Sequence, residues 1–210
     1  SDKKNLFYSV AALKGEVVKK PYDQPITINA AAKLEIAAMV EGEVVDKRTA
    51  FFNINKATGR KLRLSIDPAP QYGKGGPSAL INGIMGSVTR FNDDEWLGWN
   101  GKDFEGILDL GRVEEIKKVN LRFYKAPSSW IYMPSSIKIL VSDDGVMYKE
   151  VAVKNNPDSG QMGVQHHEFS FDGIKTRYVK INAANNGIIK SGFPGQGYPA
   201  WLFVDEVVVE

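Results

Sequence analysis

Aromatic side chains set among glycine, proline and asparagine are the residues of this chain best suited to chemistry at a surface. Trp99 adjoins Asn100-Gly101-Lys102-Asp103, Trp130 follows Pro127-Ser128-Ser129, and Phe193 and Tyr198 lie in Gly192-Phe193-Pro194-Gly195-Gln196-Gly197-Tyr198-Pro199. Turn-forming neighbours of this kind place a ring on a loop, where its flat face can cover the C–H face of a pyranose while polar groups bond the sugar hydroxyls. Asp103, Lys102, Asn186 and Gln196 are the candidate polar partners. Each ring has a plainer alternative, which is to cover the end of a β-sandwich.

Proton-transfer chemistry has much less to stand on. His166-His167 is the only histidine pair, and neighbours in a strand point to opposite faces, so the two read as surface residues rather than joint metal ligands. Asp93-Asp94-Glu95 reads as a solvated acidic loop rather than a glycosidase carboxylate pair. No Gly-x-Ser-x-Gly elbow, phosphate loop or dinucleotide fingerprint occurs.

The elements that would position these residues are strands. Short runs rich in Val, Ile, Phe and Tyr, separated by Gly, Pro, Asn and Asp clusters, predict an all-β chain. In the first part they fall at 6–10, 25–28, 34–38 and 49–54. The alanine-rich stretch from Ala30 to Met39 has helical propensity, but the alternation of Leu34, Ile36 and Ala38 favours a strand. Asn55 to Lys61 is a polar break and a candidate boundary. A strand at 62–66 follows it, and Asp67 to Pro77 reads as a Pro/Gly-rich surface loop. Further strands are predicted at 106–110, 119–124, 137–141, 147–153, 167–171, 177–181 and 201–209, with Ser142-Asp143-Asp144-Gly145-Val146 as a hairpin turn.

Composition narrows the function classes. Lysine plus arginine (27) nearly balances aspartate plus glutamate (25), so the counterion-release term that drives nucleic-acid binding has little support. The absence of cysteine excludes disulfides, thiolate metal sites and cysteine nucleophiles. No apolar run approaches the ~20 residues of a helical membrane span. Polar Ser1-Asp2-Lys3-Lys4 is no signal peptide and passes at once into Leu6-Phe7-Tyr8-Ser9-Val10, as expected of a piece of a longer protein.

From about Ile66 to Glu210 the order of segments resembles the coagulation factor V/VIII type C, or discoidin, domain, which includes the family 32 carbohydrate-binding modules. The resemblance rests on Ala79-Leu80-Ile81-Asn82-Gly83, Trp96-Leu97-Gly98-Trp99, Ile107-Leu108-Asp109-Leu110-Gly111, Trp130-Ile131-Tyr132-Met133-Pro134, Val141-Ser142-Asp143-Asp144-Gly145 and Trp201-Leu202-Phe203-Val204-Asp205-Glu206-Val207. Trp130-Ile131 before Pro134, with Trp201-Leu202-Phe203 near the end, is most similar to the copy appended to chitobiase-like family 20 glycoside hydrolases, the β-N-acetylhexosaminidases. In those a small immunoglobulin-like segment comes first, and Phe7-Tyr8-Ser9-Val10, Tyr22 to Ile28 and Leu34 to Ala38 resemble it.

The resemblance implies two units, a partial immunoglobulin-like β segment over residues 1–58 and a discoidin-like jelly-roll sandwich over 59–210. It implies that Trp96 and Trp201 are packing residues. One structural calcium ion is implied where the first loop meets the last strand, held by the Ala79 and Ile84 carbonyls, the Asn82 side chain, Ser87 and the Glu206 carboxylate. Asn82 stands where the family often has aspartate, and Ser87 where it often has threonine. The implied function is non-catalytic: binding glycan, such as N-acetylhexosamine- or galactose-containing chains, beside a catalytic domain in cis, in a secreted, periplasmic or cell-surface protein. The rival expectation is a ligand-free module that braces the parent enzyme or docks on protein.

Overall fold

The computed structural model describes residues 5–12 and 20–210, and residues 1–4 and 13–19 of the expected first unit lie outside it. The first four strands are β1 (Asn5–Ala12), β2 (Lys20–Pro21), β3 (Ala32–Val40) and β4 (Glu43–Phe52). They form one antiparallel sheet in the order β2-β1-β3-β4. Alternation therefore prevails over helix propensity at Ala30 to Met39.

The β3–β4 connection is the two residues Glu41 and Gly42, both at positive φ (51° and 86°). That backbone twist matches the twist of a tight hairpin and extends β4 back to Glu43. The stretch of β4 from Glu43 to Arg48 carries the charges of Glu43, Asp46, Lys47 and Arg48, as suits an edge strand. Glu35 of β3 lies between Lys33 (2.6 Å) and Lys47 (3.0 Å). The strand expected at Pro25-Ile26-Thr27-Ile28 does not form. Pro25 has no N–H to give a ladder, and β1 already has a partner on each edge.

The remaining strands are β5 (Lys61–Leu64), β6 (Leu97–Asn100), β7 (Phe104–Lys125), β8 (Ser136–Ser142), β9 (Lys149–Asn155), β10 (Gly163–Ala184) and β11 (Trp201–Val209). Two expected pairs of strands are each a single long strand: 106–110 and 119–124 both lie in β7, while 167–171 and 177–181 both lie in β10. The two stay paired along their length, with register shifts between Ser170 and Ile174 and between Thr176 and Tyr178. Gly111 and Gly173, at φ 84° and 96°, supply the bends. One sheet thus folds into two layers. The first half of β7 pairs with β5 and with the second half of β10, which carries β8 and then β9. The second half of β7 pairs with β11, which carries β6.

Between the layers lie Leu108, Leu110, Ile116, Leu121, Phe123, Ile139, Val179 and Val204, all wholly buried. Leu121 to Tyr124, near the end of β7, are buried on both faces. The outer side there meets a second cluster of Trp96, Tyr124, Ile131 and Phe203, against which Tyr72, Phe91 and Trp201 pack. The Pro/Gly-rich segment after β5 is therefore more than an open loop. It makes a 3-10 turn at Pro70–Tyr72 and a one-turn helix, α1 (Gly76–Ala79), and its Tyr72 ring packs edge-on against Trp201 and Phe203. Asn55 to Gly59 is likewise drawn onto the larger sheet: Lys56 N donates to Val209 O (2.9 Å), Gly59 N donates to Ile81 O (2.8 Å), and Ala57 is wholly buried.

Candidate functional site

Two groups of the expected residues come together, at different places. The first is an aromatic surface built by two loops. After β7 the chain makes a 3-10 turn at Pro127–Ser129 and enters Trp130 in the left-handed region (φ 63°). Trp201 N donates to Trp130 O (2.9 Å) and Tyr132 N to Trp201 O (3.0 Å), which clamps this turn to the start of β11. The β10–β11 loop closes on itself through Ile189 N to Tyr198 O (2.9 Å), Gly197 N to Ile189 O (2.9 Å) and Ala200 N to Gly187 O (2.8 Å). Gln196 Oε1 accepts from Gly192 N (3.1 Å) and Ser191 Oγ (3.2 Å), so this amide braces the loop.

The clamps bring Tyr198 into a stack on Trp130, with centroids 4.9 Å apart and planes 18° apart. Phe193 meets Tyr132 edge-on at 6.4 Å, and Tyr132 OH donates to Pro194 O (2.8 Å). Phe193 and Tyr198 are more than half exposed, and Trp130 is 37% exposed. Tyr132 was not among the expected site residues, although its place two residues after Trp130 in the same irregular segment was a usable signal. Gly195, at φ 82°, lies so close to Trp130 that a β-carbon there would sit 2.6 Å from the indole. Gly195→Ala should therefore displace the Trp130–Tyr198 stack, read as a changed tryptophan emission spectrum at nearly unchanged far-UV circular dichroism.

Two expected sugar contacts do not join this surface. Trp99 lies in β6, is 1% exposed and donates its indole N–H to Ile66 O (2.9 Å), so its ring belongs to the core and reaches no ligand. A residue next to an Asn-Gly turn is still within the strand that the turn ends. Asp103 is committed to structure: its Oδ1 accepts from Asn185 N (2.7 Å), while Asn185 Nδ2 donates to Lys102 O (3.2 Å) and Ala200 O (3.1 Å). It thereby anchors the base of the β10–β11 loop.

The second group surrounds Glu206. Along β11 the register slips between Val204 and Val207, a bulge that leaves Asp205 and Glu206 both wholly buried. Asp205 Oδ2 pairs with Arg122 Nη1 (2.7 Å) and accepts from Gly86 N (2.9 Å); burial pushes its carboxyl up to about 7, against the pull of Arg122. Glu206 Oε1 accepts from Gly83 N (3.1 Å), whereas its Oε2 is buried without a partner. Burial, with the charge of Asp205 added, pushes the Glu206 carboxyl up to about 9.

The turn facing Glu206 is Asn82 to Ile84. Asn82 Oδ1 accepts from Ile84 N (2.7 Å) and Asn82 Nδ2 donates to Glu95 Oε2 (2.7 Å). Burial raises the Glu95 titration. Asp93 ties the acidic segment down through Ser87 N (2.7 Å), Glu95 N (3.2 Å) and Trp96 N (3.3 Å), so Asp93-Asp94-Glu95 is not simply solvated. Ser87 Oγ pairs with Thr89 Oγ1 (3.2 Å). Val207 N occupies Leu80 O (2.8 Å) and Asn53 N occupies Gly83 O (2.7 Å).

No three His, Asp or Glu side chains among the described residues form a metal-holding group by themselves. A hard cation here would have to draw on carbonyl and amide oxygens beside Glu206. The buried, unpartnered Glu206 Oε2 next to the Asn82–Ile84 turn fits that demand.

His167 departs from expectation. It is 4% exposed on the inward side of β10, its ring 5.6 Å from Phe123, and burial lowers it to about 4. His166, its neighbour, is exposed, as opposite faces require.

The F5/8 type C domain model matches residues 65–191. Among solved structures, chitosan-binding module 1 from a chitosanase/glucanase of Paenibacillus sp. IK-5 is 18% identical, with a TM-score of 0.49, covering 75% of this chain and 99% of that one. A fucose binding module of Streptococcus pneumoniae is 20% identical, with a TM-score of 0.49, covering 75% of this chain and 94% of that one. A search of the curated proteins finds no match.

Proposed function

The chain belongs to the F5/8 type C domain family, and from that premise we propose that it binds glycan through the Trp130, Tyr198, Phe193 and Tyr132 surface. One observation carries the reading: two loops hold a stacked Trp130–Tyr198 pair and an exposed Phe193 in place through their own backbone hydrogen bonds. Rings fixed before the ligand arrives bind a sugar face without a further ordering cost. The neighbouring loop amides and Asn186 supply polar groups for hydroxyls. N-acetylhexosamine- or galactose-containing chains are the expected ligands.

The wider setting is part of the same proposal. The chain would be an accessory region of a secreted, periplasmic or cell-surface glycoside hydrolase of the chitobiase type, with residues 1–58 as a partial immunoglobulin-like segment and 59–210 as the binding unit. Holding substrate near a catalytic domain in cis works through effective concentration, so weak affinity at one site suffices. No described helix is long and apolar enough to cross a membrane.

A structural calcium ion belongs to this reading as well. Glu206, the Asn82 side chain and the Ala79 and Ile84 carbonyls would hold it, with the Glu95 carboxylate, hydrogen-bonded to Asn82, supplying the charge that an asparagine lacks. Bound there, the ion would supply only charge and coordination, fixing the first loop against β11.

Titration with N-acetylglucosamine and galactose oligosaccharides, followed by tryptophan fluorescence, tests the binding. Tyr198→Ala and Trp130→Ala should each weaken it at least about tenfold, a loss of about 1.4 kcal/mol in binding. Melting temperatures should change little for Tyr198→Ala, whose ring is mostly exposed. The bracing alternative draws on Val44, Val45 and Phe51, which leave apolar surface on the edge strand β4. Silence across the sugar panel, with tight binding to the parent catalytic domain, would favour bracing.

A further inference from the structure

Another cluster lies on the outer face of the layer made by β5, the first half of β7 and the second half of β10. Alternation puts Lys61 and Arg63, and Ile107 and Asp109, on one side of their strands. Register sets Lys61 opposite Asp109, and Asp109 opposite Tyr178. The β8–β9 connection folds over this row and adds Asp144, Gly145 and Tyr148. Together they line a cavity of about 240 Å³. Tyr178 is seven residues along the chain from Asn185, the anchor of the aromatic loops, or roughly 23 Å at strand spacing.

The charges in this cavity are unequally committed. Asp109 holds Arg177 through both oxygens (2.9 and 3.0 Å) and accepts from Gly111 N (2.8 Å). Asp144 Oδ1 accepts from Val146 N, Met147 N and Ser142 Oγ at 2.8–2.9 Å, which fixes this carboxylate in its own turn and leaves it as the one lining anion without a cation paired to it, against two lining cations. Lys61 and Arg63 line the same cavity, and neither enters an ion pair among the described residues. Tyr148 OH is buried there without a hydrogen-bond partner. The Tyr178 ring is held under the turn by Gly145, where a β-carbon would come within 3.2 Å of it.

Two uncommitted cations, one uncommitted hydroxyl and two aromatic rings together complement an oxyanion carried on a compact polar ring. The volume is below the ~300–1,000 Å³ of drug-sized sites, which limits the occupant to about one ring. We propose that this cleft is a second ligand site, specific for an acidic pyranoside, with a carboxylate or sulfate group between Lys61 and Arg63 and the ring beside Tyr148 and Tyr178. It is independent of the aromatic loops, so the acidic and the loop-bound sugar units can be engaged together.

Amide chemical shifts of the isotope-labelled full chain provide the test, with methyl glucuronide, glucose 6-sulfate, methyl glucoside and inorganic sulfate as probes. Saturable shifts at 61–63, 107–109 and 144–148 are expected with an acidic sugar, and the tighter of the two identifies the anion. The Trp130 indole signal should stay in place, which separates this site from the loops. Lys61→Ala/Arg63→Ala should raise Kd at least tenfold, and Tyr148→Phe should raise it by a smaller factor. Both cations are exposed, and the spectrum itself reports whether the variant is folded. Equal shifts with neutral methyl glucoside, equal affinity for inorganic sulfate, or no response of these amides to either acidic sugar would overturn the proposal.

Discussion

Calcium added to the metal-stripped protein should raise its melting temperature, and Glu206→Gln should abolish the increment. The bulge at Asp205–Glu206 turns a second carboxyl into the protein beside one already paired with Arg122. Glu206 Oε1 has Gly83 N, but Oε2 has no partner, and because an uncompensated buried carboxylate is costly, burial keeps the carboxyl protonated up to about 9. A dication coordinated by that oxygen and the adjoining loop oxygens would take the place of the proton and compensate the carboxylate. At a hundredfold excess over Kd a ligand of the folded state stabilises by ~2.7 kcal/mol. For a chain of this length that is roughly 5–10 °C. Glutamine keeps the shape and the Gly83 contact but cannot ionise toward a cation, so the stripped variant, close to the neutral acid it replaces, should melt near the stripped parent. Scanning calorimetry in chelator and in calcium reads both; identical melting of the parent in the two solutions would remove the ion from the proposed function.

Much of the scaffold was legible because one-sided burial imposes period two. The alternations Val119/Leu121/Phe123 and Ile137/Ile139/Val141 mark strands that bury those residues, and the closing strand was read at 201–209, where it lies. The misses share a cause: local composition resembled a turn where pairing continued. The stretch after Gly111 bends without leaving its ladder with β10, and Glu43 to Arg48 hides an edge strand behind charges that an edge strand tolerates. Trp99 was placed on a loop because Asn100-Gly101 follows it, yet it pairs with Leu202.

The site was legible in proportion to how local it is. Trp130, Phe193 and Tyr198 stand among prolines and glycines that keep them out of the core, and the chain itself states this. The Glu95 contact with Asn82 spans 13 residues and arises only when Asp93 ties the acidic segment back on itself. No pattern in the sequence carries that. A signal did exist at Asp205-Glu206, two acids inside an otherwise apolar strand, since such a pair survives burial only with a cationic partner, a proton or a metal. Gln165, His167 and Phe169 share the period of an inward face, which was the signal missed at His167.

Acid should accordingly remove the stability that His167 contributes, an effect visible as a difference between parent and variant. Its ring is buried against Phe123, with Lys154 and His166 opposing a positive charge more than Asp158 favours one, so its titration falls from 6.5 to about 4. In the unfolded chain the imidazole takes its proton near pH 6.5. At this one group, between about pH 6.5 and 4, the unfolded state therefore binds more protons than the folded one, and the stability that His167 contributes falls as pH falls. The full effect is about 3 kcal/mol, present above 6.5 and lost by about 4. Asp205, raised by burial from 3.8 to about 7, and Glu206, raised from 4.5 to about 9, run the other way across essentially all of this window, while the lowered Asp109, Asp144 and Asp158 lose stability only from their ordinary value of 3.8 downward. The comparison that isolates the histidine is therefore a difference: urea unfolding of the parent and of His167→Leu at each pH, with these carboxyls common to both. The parent should lose about 3 kcal/mol relative to the variant between pH 6.5 and 4. His166, whose titration burial and then Arg122 also lower, should give a smaller departure from the parent as His166→Gln than His167→Leu does, and parallel profiles for parent and His167→Leu would mean that the buried ring takes up its proton without cost.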